Sequence, residues 1–112
     1  MEKIERNYVD WDKTAVNLKL LRQDNLNLRR YVCSTLRVKK GACDGVNCNS
    51  CVYEMDSSIS RAELAQVFNV TESVVFNWEN GKSLPSLDDL IFYAQICGLD
   101  IFQVVVTTRQ GG

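Results

Sequence analysis

The stretch from Ser60 to Lys82 constrains the fold of this chain more than any other. Ser60 and Glu63 have the Ser-x-x-Glu spacing of a capping box, with Ile59 and Leu64 placed to staple the helix start from outside and inside. Asn69 falls where the chain must turn, and asparagine tolerates a left-handed backbone better than most residues other than glycine. Thr71 is placed to cap a following helix, with Val70 and Val75 as its staple pair. Ala65 is small where two helices would cross, and Leu64, Val75 and Trp78 point to a shared core. Asn80-Gly81 then ends the second helix with a residue able to take positive φ. The joint spacing predicts two short helices held at a sharp angle by a tight turn.

Glu63-Leu64-Ala65, Val70 and Trp78-Glu79-Asn80-Gly81-Lys82, followed by Pro85 and Leu87, resemble the helix-turn-helix of the Cro and lambda-repressor family, the xenobiotic-response-element-like regulators. The likeness covers residues 60 to about 98, and extends more loosely to Thr14–Gln23 as a first helix. Residues 27–57 look like an insertion between the family's first and second helices. The resemblance implies an all-α, lambda-repressor-like domain of about five or six helices with a cysteine-rich loop insertion. It further implies a transcriptional regulator that binds double-stranded DNA sequence-specifically, as a homodimer on a two-fold-related site. A length of 112 residues suits one such domain.

In this family the second helix of the motif enters the major groove. By resemblance Glu72, Ser73 and Asn77 face the bases. Asparagine pairs bidentately with adenine, glutamate accepts from cytosine N4, and serine is permissive. Phe76 lies on the same outward side, suited to a thymine methyl or equally to a protein contact. Arg61, Thr71, Asn80 and Lys82 are placed for phosphates, through side chains and positive helix ends.

Charge pulls the other way. The net charge is −1 and the isoelectric point near 5.4, whereas nucleic-acid binders usually carry a basic face. Eight basic residues lie between Lys13 and Lys40 against Asp24 alone, but from Asp44 to Asp100 nine acids face only Arg61 and Lys82. A helix-turn-helix turned to protein–protein contact is therefore the rival reading.

Asp12 is a candidate cap for a first helix, with Trp11 and Val16 as staple pair. Ala15, Val16, Leu18, Leu20 and Leu21 form its apolar stripe, and Lys19, Arg22 and Gln23 its wet side. Residues ahead of it read as a loose arm. Asn27 is a candidate cap for a second helix whose inner side is Leu28, Tyr31, Val32 and Leu36. Arg29, Arg30 and Arg37 lie opposite, as a solvated face or a phosphate- or partner-binding one. After Ser86 a further helix offers Leu87, Leu90, Ile91, Tyr93, Ala94 and Ile96 to the core and stops at Gly98. In the tail 99–112, a helical turn near 100–103 precedes the β-branched run Val104–Thr108, an extended segment that wants a partner, dimerisation being one way to supply it.

Cys33, Cys43, Cys48 and Cys51 fall within nineteen positions, three of them in the loop 39–58, which holds little apolar material to pin it. In a chain without histidine, four thiols suit tetrahedral zinc. An iron–sulfur cluster uses the same ligands, and a redox pair or incidental thiols stay open. Cys97 lies on an apolar helix side as a small hydrophobe. Without histidine, a glycine-rich phosphate loop or paired acids, no catalysis and no small-molecule substrate are expected. The charged N-terminus and the lack of an apolar run of about 20 residues point to a cytoplasmic protein without membrane association.

Overall fold

The computed structural model describes residues 6–37 and 58–109. Within them run β1 (Asn7–Val9), α1 (Trp11–Asp24), α2 (Leu26–Val32) with a π-helical turn at Cys33–Arg37, α3 (Arg61–Phe68), α4 (Glu72–Glu79), α5 (Leu87–Cys97), α6 (Ile101–Val104) and β2 (Thr107–Arg109). The fold is the expected all-α one, with a single short ribbon among the described residues. No helix among them is long and apolar enough to cross a membrane.

The helix boundaries follow from their caps. Ser60 and Glu63 form the full capping box: Glu63 N–H donates to Ser60 Oγ and Ser60 N–H to Glu63 Oε1, each at 3.1 Å. Asn69 ends α3 in the left-handed region at φ 56°. Ser86 caps α5 through Asp89 N–H, and Gly98 closes it at φ 68°. Two expected caps lie elsewhere. Helix α1 starts at Trp11, so Asp10 rather than Asp12 accepts from Lys13 N–H. Asn25, not Asn27, accepts from Leu28 N–H at the start of α2. The Asn27 amide instead joins that of Asn25 on the Cys97 carbonyl, at 3.2 and 3.3 Å, closing the C-terminus of α5 from outside.

The core joins α1, α2, α3, α4 and α5 through Leu18, Leu28, Val32, Leu64, Val75, Trp78 and Tyr93, with Ile59 and Val104 from the flanking segments. Residues 26–32 thus form part of the core, since α2 packs on both α5 and α3. Tyr31 is partly exposed, its ring edge-on to Phe92 at 5.9 Å. Phe68 is the hub of the aromatic cluster, 5.6 Å from Trp78, 5.0 Å from Phe92 and 5.3 Å from Tyr93 between ring centroids. The Tyr93 hydroxyl donates to the Leu18 carbonyl at 2.9 Å. Burial, reinforced by Glu79 and Cys97 and opposed by Arg22, holds that phenol well above its ordinary value, so it stays a donor. Burial pushes the Cys97 thiol up to about 12, and it packs as the neutral small hydrophobe expected.

The apolar stripes are narrower than expected. In α1 the inner face is Thr14, Ala15, Leu18 and Arg22, while Val16 and Leu20 are exposed. In α5, Leu87 and Ile91 face outward with Leu84 nearby in sequence. Helical geometry explains both: residues three and four apart share a face, and the buried residues 14, 15, 18 and 22 leave no room for 16 and 20.

The tail behaves as read, a helical turn and then a strand, but its partner is internal. β2 pairs antiparallel with β1 in the register Asn7↔Arg109, Tyr8↔Thr108 and Val9↔Thr107. Over Asn7–Asp10 the arm before α1 is therefore no loose lead-in. Asp10 N–H donates to the Val106 carbonyl and Val106 N–H to the buried hydroxyl of Thr14, while the Asn17 amide donates to the Gln103 and Val104 carbonyls.

Candidate nucleic-acid interface

Helices α3 and α4 pack most extensively of all pairs, and α1 backs α4 from the other side. Val75, Trp78 and Glu79 turn inward from α4, which leaves Glu72, Ser73 and Phe76 exposed and Asn77 half-buried on one continuous outer strip. Arg61, Glu72, Ser73 and Phe76 line an open notch of about 250 Å³ at the start of α4.

What holds α4 in place is an ion cluster behind it. Arg22 Nε donates to Glu79 Oε2 at 2.7 Å and its Nη2 to Oε1 at 3.0 Å, while Nη1 donates to the Ile59 carbonyl at 2.7 Å. The two side chains are 7% and 1% exposed. A bidentate guanidinium–carboxylate pair of this kind is tolerated in a core because every charged edge finds a partner. Arg22 does not face water, contrary to the reading of α1 from periodicity. Position 22 stands four residues past Leu18 and seven past Ala15, so it shares their inward face. The signal was present in the sequence: Glu79 follows Trp78 and lies four residues after Val75, on the buried side of its helix, and needs a cation.

Arg61 reaches the same carboxylate from outside. Its Nε donates to Glu79 Oε1 at 2.9 Å, and its guanidinium carbon stands 5.2 Å from the Phe76 ring centroid. Among the described residues no acceptor is bonded to its two terminal nitrogens, and Arg61 lines the notch with its side chain 30% exposed. Thr71 occupies the cap position of α4 without a side-chain cap bond, and the N–H groups of Glu72 and Ser73 are bonded to no described acceptor. The start of α4 therefore presents unspent donors and the positive end of a helix.

At the other end Asn80 spends its amide on the Phe76 carbonyl at 2.8 Å. Gly81 at φ 70° turns the chain back, and Lys82 N–H donates to the Asn77 carbonyl at 2.9 Å. This return brings Lys82 Nζ to 5.5 Å from the Phe76 centroid. The eight predicted contact residues are thus drawn together along α4, with Asn80 closing the helix and Arg61 and Lys82 flanking it.

Of the four loop-associated cysteines, Cys33 is buried at the start of the π-helical turn, and Cys43, Cys48 and Cys51 lie outside the described residues, as do Lys39 and Lys40. Among the described residues no three His, Cys, Asp or Glu side chains group as a metal site.

Comparison with curated proteins and with solved structures gives no match. A family model does match: the helix-turn-helix model, over residues 56–104. The matched span runs from just before α3 to the end of α6, so it contains the whole strip described above and leaves α1, α2 and the ribbon outside. Over that span, somewhat under half of the chain, residues 56–104 are similar to the helix-turn-helix family of the Cro/C1 type.

Proposed function

We propose that the protein is a transcriptional regulator that binds double-stranded DNA sequence-specifically through α4, as a homodimer. The observation that carries this reading is the outer strip of exposed Glu72 and Ser73 and half-buried Asn77, flanked by Arg61 and Lys82 on a helix fixed from behind by Glu79. Asn77 supplies a bidentate pair for adenine, Glu72 an acceptor for cytosine N4, and Ser73 a donor or acceptor for either strand. Arg61, Lys82, the Thr71 hydroxyl and the open N–H groups of Glu72 and Ser73 take phosphates.

Selection of bound duplexes from a random pool tests this. A dimer enriches inverted half-sites spaced by about one helical turn, ~34 Å. Asn77→Ala relaxes the preference at one base pair by about 1–3 kcal/mol. Lys82→Ala weakens all sequences alike and reduces the salt slope, because each neutralised phosphate contributes about 0.9 to it. Absence of binding to any duplex at low salt sinks the DNA reading. The acidic stretch 44–100 favours the alternative that the strip then contacts a protein.

We also propose a structural zinc ion held by Cys33, Cys43, Cys48 and Cys51. The donor set supports it: four thiolates are a complete tetrahedral shell for zinc. Elemental analysis of protein purified without chelator is expected to give about one equivalent of zinc, and less than about a tenth rules the site out. Iron with acid-labile sulfide in place of zinc assigns the same ligands to a cluster.

A further inference from the structure

We infer that Phe76 is a positioning residue: its exposed ring seats both cations that flank α4, Arg61 and Lys82, and so pre-sets their hold on the DNA backbone. The inference rests on the DNA-binding reading above and assigns Phe76 a task other than base contact. The ring is 40% exposed at the middle of the strip, where an aromatic side chain has no packing reason to be. Arg61 and Lys82 approach it from two separate segments, the first turn of α3 and the return after α4, at 5.2 and 5.5 Å from the same centroid. Those distances are within the reach of a cation–π contact, about 6 Å.

The consequence is sharpest for Arg61. Its Nε is held by Glu79 and its guanidinium lies over the ring, so the side chain is anchored twice, and no acceptor among the described residues is bonded to its terminal nitrogens. Lys82 is steered by backbone, since Gly81 at φ 70° and the bond from Lys82 N–H to the Asn77 carbonyl fold it back along α4. A long cationic side chain ordered only on binding loses rotamer freedom at that moment. One already seated has lost it on folding. A single ring thereby orders the two phosphate-facing cations of the motif, which matters in a segment where acids outnumber bases nine to two.

The experiment compares Phe76→Leu with Phe76→Trp. Leucine keeps the apolar bulk and helix propensity but removes the ring, whereas tryptophan keeps the strongest π-face. Phe76→Leu is expected to fold normally and to weaken binding to selected and random duplexes by the same factor, about tenfold for two side chains newly immobilised on binding. Phe76→Trp is expected to restore wild-type affinity. A loss confined to sequences with thymine at one position would make Phe76 a base contact and overturn the inference. Proton NMR of the free protein provides a reading independent of DNA. The Arg61 Hδ and Lys82 Hε protons are expected upfield in the wild type, at ordinary shifts in Phe76→Leu, and upfield again in Phe76→Trp. Ordinary shifts in the wild type overturn the ring seat whatever the DNA result. Upfield shifts in a protein that binds no duplex would leave the seat standing and the DNA reading refuted.

Discussion

Glu79→Ala is expected to destabilise the protein by about 3–5 kcal/mol, because it strands the buried Arg22 guanidinium without a counter-charge. The Glu79 carboxylate accepts three of the cluster's hydrogen bonds, two from Arg22 and one from Arg61. Removing it also leaves the Ile59 carbonyl as the only described acceptor of the buried Arg22 side chain. Urea unfolding followed by far-ultraviolet circular dichroism measures the loss as a lower midpoint at unchanged m-value. The paired variant Arg22→Met with Glu79→Leu is expected to regain at least about 2 kcal/mol of it, since apolar replacement of both partners removes the desolvation cost along with the attraction. In that variant Arg61 still lacks its carboxylate, so duplex binding is expected to stay weakened while stability returns. A midpoint shift equivalent to under about 1 kcal/mol for Glu79→Ala would mean that the pair is solvated, as surface pairs are.

Phe68→Ala is expected to cost about 3–5 kcal/mol, the range for truncating a buried aromatic side chain, with the loss of its ring contacts placing it at the upper end. Phe68 closes the last turn of α3 and touches the rings of Trp78, Phe92 and Tyr93, so its removal opens the junction of α3, α4 and α5 at once. Phe68→Leu refills part of that volume and is expected to cost markedly less. The same urea series reads both. Equal costs for the two variants would show that the ring contacts, which leucine cannot remake, outweigh transfer from water.

These two residues mark where reading the sequence stopped short. Features set within a few positions were legible: the Ser60–Glu63 box, the left-handed Asn69 and Gly98, the inward Leu64, Val75 and Trp78, and the helical turn before the final strand. Each depends on spacing or on a residue's own backbone preference. Which partners meet across the chain was not legible from local spacing, even where a buried Glu79 signalled the need for a cation. Arg22 is charged, and only the presence of Glu79, 57 positions on, makes its inward face tenable. The final strand needed a partner, but nothing local to Val104–Thr108 identifies Asn7–Val9 as that partner. Asp12 and Asn27 missed as caps by two positions each, because a competing Asp10 and Asn25 stand just upstream and the helices start beside them. Leu87 and Ile91 have the right chemistry for the core and the wrong angular position for it. Around the candidate site, the outward placement of Glu72, Ser73 and Phe76 was legible and the arrangement of the side chains about them was not. Arg61 was expected on phosphate alone, yet it is held by an acid of the neighbouring helix and by a ring.

The pairing of Asn7 with Arg109 has a practical corollary for anyone attaching something to this molecule. Paired strand residues stand about 5 Å apart. A fluorophore, affinity handle or fused domain therefore departs from the same corner whether it is joined before β1 or after β2. Moving such an attachment from before β1 to after β2 leaves both its corner and its direction of departure nearly unchanged and reverses only the polarity of the linker.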